Sequence, residues 1–94
     1  NDMYTACMNT LDGKDFYGAV ITDSDSGIRI ANEVSKEYIF WNMWNDRGFN
    51  GYFCPEPMTA MINSPNLSLP REVTGYGEIA KGEKYSAWQK FFTV

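Results

Sequence analysis

The chain has 94 residues, a formal net charge of -4, 44% hydrophobic and 16% aromatic residues, and no histidine. Eight basic side chains against twelve acidic ones, with no run of Lys or Arg, leave no electrostatic footprint for nucleic acid or an anionic membrane surface. No stretch reaches the apolar length of a membrane span, and any reaction step that needs an imidazole must take it from another segment or chain.

Ninety-four residues suffice for one small domain with a modest core. No repeat, low-complexity tract or linker divides them, so 1–94 reads as one unit without an internal boundary. The chain opens at Asn1 rather than Met, and residues 2–7 already alternate like a strand, so a fragment or a processed segment is expected.

Short segments rich in Val, Ile, Tyr, Phe and Trp recur between Gly, Asp, Asn and Pro, and no window carries a long helical stripe, which predicts an all-β fold. A first strand is expected over about 3–9, ending at Asp12-Gly13, a pair that supplies the positive φ of a tight turn. A second is expected over 16–22. Asp23-Ser24-Asp25-Ser26-Gly27 turns the chain into Ile28-Arg29-Ile30-Ala31 and makes a hairpin. Its aspartates begin like a calcium loop, but Ile28 and Val34 stand where an EF-hand needs glycine and glutamate, so a solvated turn is the reading.

Residues 38–44 are apolar on both faces, the pattern of a central strand covered on both sides. A polar loop at 46–50 leads to a strand over 51–59, and Pro65 and Pro70 keep 63–70 irregular. Ala80-Lys81-Gly82-Glu83 has turn chemistry ahead of a closing strand over 85–94. Most of the aromatic side chains are expected in the core, with Trp41 and Tyr52 the least secure members of that group. Cys7 and Cys54 lie in apolar runs as small buried hydrophobes, and a reducing, cytoplasmic setting is expected.

Glu56 is the candidate site residue. It stands between Pro55 and Pro57, so its backbone is biased to an extended form and its strand cannot be fully laddered. Such a residue is either a surface glutamate on an edge strand or, with Phe53 and Met58 drawing water away from the carboxylate, a general base with a raised pKa. No metal site and no cofactor is expected.

Phe53-Cys54-Pro55-Glu56-Pro57, Asn63-Ser64-Pro65-Asn66 and Gly75-Tyr76-Gly77-Glu78-Ile79-Ala80-Lys81-Gly82-Glu83 resemble the C-terminal part of the aldose 1-epimerases, the galactose mutarotase-like family. The resemblance runs through the whole chain, which would be the last third of the family's domain. It implies a β-supersandwich of antiparallel sheets with a sugar in an open cleft. It puts the family's catalytic base on Glu56 and a sugar-binding aspartate on Asp2. It also implies that the acid is a histidine of the upstream part of the same domain, which the chain would require for activity. Pro57-Met58-Thr59 is similar to a divergent bacterial branch of the family. Two other readings stand beside the enzyme: a catalytically silent carbohydrate-binding β-sandwich, and a hexose-phosphate epimerase of the same superfamily.

Overall fold

The computed structural model describes residues 2–48 and 50–94; Asn1, where the resemblance begins, and Phe49, in the expected polar loop, lie outside the described residues. The strands are β1 (Asp2–Thr5), β2 (Met8–Leu11), β3 (Lys14–Thr22), β4 (Arg29–Val34), β5 (Phe40–Trp44), β6 (Cys54–Met58) and β7 (Gln89–Thr93). They form two antiparallel sheets, one of three strands in the order β1-β5-β6 and one of four in the order β2-β3-β4-β7. The fold class is therefore all-β, as the alternation and turn residues predict.

The expected first strand is in fact two strands. Ala6 donates its N–H to the Ile39 carbonyl at 2.9 Å and closes the β1–β5 pair, after which the chain changes partner and pairs through β2 with β3. Cys7 lies at this crossing and is exposed, and Cys54 is only half-buried, so the buried position expected of both is corrected; both thiols are free.

Turn chemistry is realised at both early hairpins. Asp12 and Gly13 carry φ of 52° and 77° between Leu11 and Lys14, the two positive values that match the twist of flanking strands. At the second hairpin Asp23 organises the turn: its carboxylate accepts from the Asp25 N–H at 3.2 Å and from the Ser26 hydroxyl, while Gly27 donates to its carbonyl at 2.8 Å. These bonds hold the Asp23 carboxyl below the usual carboxylate range, the Ser26 hydroxyl contributing most.

Core packing is concentrated in the four-stranded sheet, where Phe16, Ala31 and Val34 are buried and Phe16 meets Phe92 edge-to-face with ring centroids 6.4 Å apart. Trp41, on β5, is buried in the other sheet. The radius of gyration is 15.3 Å, larger than the ~13 Å of a compact domain of about this length. Large apolar side chains such as Tyr4, Phe53, Tyr85, Trp88 and Phe91 are exposed. The expectation that most aromatics lie in the core is thereby corrected, because the sheets leave broad faces uncovered.

Helix is confined to short pieces. Arg71–Thr74 forms one turn, α1, started by Pro70 and stopped by Gly75 at φ 74°, whose N–H returns to the Arg71 carbonyl at 2.8 Å. A 3-10 turn, Ser64–Asn66, falls in the expected irregular segment, and the closing strand is shorter than predicted. Among the described residues no helix is long and apolar enough to cross a membrane.

Candidate functional site

β6 owes its position to its composition. Pro55 and Pro57 are two apart, so both ring nitrogens point to the same side of the strand, and neither can donate to a ladder. An edge strand with β5 on its other side satisfies both prolines at once, and β6 is that edge. Glu56, between them, lies directly opposite Asn42 of β5.

The pair is bonded through its side chains. Asn42 Nδ2 donates to Glu56 Oε2 at 2.7 Å, the length of a charge-assisted hydrogen bond. Glu56 is exposed, whereas Asn42 is only 5% exposed. The Asn42 Oδ1 atom is buried without a partner, which in a protein interior costs about 1–3 kcal/mol. The amide orientation follows from these contacts, because rotation by half a turn would set Oδ1 against the carboxylate.

Directly opposed residues of antiparallel strands share a face. Asn42 and Glu56 therefore share a face with Met3, and the strand period adds Phe40, Trp44, Cys54 and Met58. Trp44, 37% exposed, is a diagonal neighbour of Glu56 on the same face. Phe53 is not on this face. It lines a cavity of about 450 Å³ with Asp2, Tyr4, Met43 and Asn45, so the drying of Glu56 expected from Phe53 does not arise from that residue.

Asp2 lies opposite Met43, and Met43 lies opposite Pro55. The register thus puts Asp2 and Glu56 on opposite faces of the three-stranded sheet. Each is exposed on an edge strand of the sheet, but the described residues do not bring them into one pocket. Asp2 instead has two exposed aromatic rings, Tyr4 and Phe53, in its own cavity. Trp41, one of the two aromatics singled out from the sequence, is buried, and Tyr52 is exposed.

Sequence reasoning did not select Asn42. The available signal was a lone amide inside the apolar run 38–44: a buried polar side chain requires a partner, and the nearest strand carried one carboxylate.

No family model matches the chain. Among solved structures it is similar to a galactose mutarotase-like protein from Clostridium acetobutylicum, with 33% sequence identity over 98% of this chain and a TM-score of 0.77. The chain spans 28% of that protein's length. Two antiparallel sheets with little helix are thus a fold this chain shares with the matched segment of that protein.

Proposed function

We propose that this chain is the C-terminal portion of an aldose 1-epimerase-like enzyme, with Glu56 as its general base. The observation that carries the reading is the Glu56 carboxylate itself, open to solvent on a rigid edge strand and held at 2.7 Å by a buried amide. The likeness to a galactose mutarotase-like protein supports an aldose as the substrate class of this proposal.

In this reading Glu56 takes the proton of the anomeric hydroxyl as an acid delivers one to the ring oxygen. The bond from C1 to the ring oxygen breaks and an open-chain aldehyde forms. Rotation about C1–C2 presents the other face of the aldehyde, the ring oxygen attacks, and both protons return. The resemblance implies a histidine as the acid, a residue type this sequence does not contain, so in this proposal the upstream part of the same domain supplies it. A cytoplasmic location belongs to the same proposal, supported by the two free thiols.

Polarimetry of freshly dissolved aldose anomers with the full-length protein tests it. Glu56→Gln is expected to lower the rate by about 10² or more. A wild-type rate for that variant on every common aldose overturns the assignment.

The Asp2 cavity favours a second reading, a carbohydrate-binding β-sandwich without catalysis. A carboxylate beside exposed Tyr4 and Phe53 offers hydrogen bonds to sugar hydroxyls and flat apolar surfaces to the ring. Sugar binding with no rate enhancement in polarimetry would favour it over the enzyme.

A further inference from the structure

We infer that Asn42 is the positioning residue of Glu56: its amide fixes where the carboxylate points and which oxygen is left to take a proton. The inference rests on the reading of Glu56 as base. Asn42 is poorly explained as a structural residue. It is buried in an apolar strand, yet only one end of its amide is bonded, and that bond goes to an exposed side chain on the neighbouring strand.

The geometry explains what the amide gains by being there. Glu56 has a fixed backbone, set by Pro55, Pro57 and the pairing with β5, but its side chain has three further torsions and faces solvent. A donor at 2.7 Å on Oε2 selects among those rotamers and makes that oxygen the less basic of the two, so Oε1 is the one better placed to accept the anomeric proton. Asn42 is itself buried, so packing around it, and not the exposed carboxylate, restricts its rotamers. The base is thus preorganised by an amide that does not touch the sugar.

The test uses full-length protein and two near-isosteric variants. Asn42→Leu removes the donor together with the unpartnered Oδ1, so thermal stability is expected to hold or rise, while kcat falls roughly ten- to hundredfold with KM within about twofold. Asn42→Asp sets a second carboxyl group against Glu56, so the pair shares a proton that partly neutralises the base, and at least as large a loss is expected. In a Glu56→Gln background, Asn42→Leu should cause no further loss.

Wild-type kcat in a folded Asn42→Leu, with Glu56→Gln inactive, overturns the positioning role and leaves the base intact. Full activity of Glu56→Gln overturns both. Should neither Asn42 variant fold, the Asn42 side-chain amide signals in the wild-type protein decide. They are expected downfield and shifted by Glu56→Gln, and identical signals in the two proteins overturn the inference.

Discussion

The Tyr17 hydroxyl donates to the Tyr38 backbone carbonyl at 2.6 Å and so ties the four-stranded sheet to the segment that leads into β5. The phenol is half-buried, and burial first, then the nearby Cys7, pushes its pKa above the usual value.

Tyr17→Phe should lower stability by about 1 kcal/mol, because the Tyr38 carbonyl loses its side-chain donor while the ring packing is kept. The pH dependence adds a second check. The folded pKa is raised, so the unfolded chain loses this proton first, near pH 10, and the native state binds more protons above that. The contribution is full below about pH 10 and disappears as pH rises through the folded value. Urea titrations of both proteins should therefore converge in strongly alkaline solution, and parallel curves would contradict the assignment.

Gly18→Ala is expected to be among the most disruptive single changes in the chain. A Cβ on Gly18 would lie 2.1 Å from the Asn32 carbonyl oxygen and 2.9 Å from Glu33 Cα, both of them backbone of the paired strand β4. Neither can move without opening the β3–β4 ladder, so a loss of about 3 kcal/mol or failure to fold is expected. A urea midpoint within experimental error of wild type would refute the close approach.

Ser26→Ala removes the hydroxyl that most strongly lowers the Asp23 carboxyl. A depressed carboxyl contributes stability above its unfolded value, near pH 4, and loses it as pH falls through the folded value. Asp23 is fully exposed, so the effect is small. It should show as an upward move of the Asp23 side-chain carbonyl titration followed by NMR, and an unmoved curve would separate Ser26 from that carboxylate.

Asp2→Ala should weaken sugar affinity about tenfold or more in calorimetry if the Asp2–Tyr4–Phe53 cavity holds a sugar, because a hydrogen bond to a charged group is worth about 1.5–3 kcal/mol. Equal affinity for the variant and the wild type would remove the cavity from consideration.

The sequence was most informative where a residue type permits only one arrangement. Asp12-Gly13 and Gly27 demanded positive φ and mark the hairpins, and Pro55 with Pro57 demanded a strand edge. The split of the first strand was not legible, since residues 3–9 read as one strand-like run and the change of partner at Ala6 depends on β5 and β3, which are formed by later residues. The faces of the three-stranded sheet were hidden for the same reason. Separating Asp2 from Glu56 needs the register of two strand pairs, and the segments 38–44 and 51–59, apolar on both faces or broken by proline, carry no alternation from which to read it.

The prolines of β6 have an effect beyond fixing Glu56. The outer rim of an open sheet is a template for any passing polypeptide, and this rim is missing the N–H groups of Pro55 and Pro57. An invading strand would find acceptors there with too few donors. The margin that carries the carboxylate is therefore a poor template for an added protein strand, through backbone chemistry alone and before any side chain takes part.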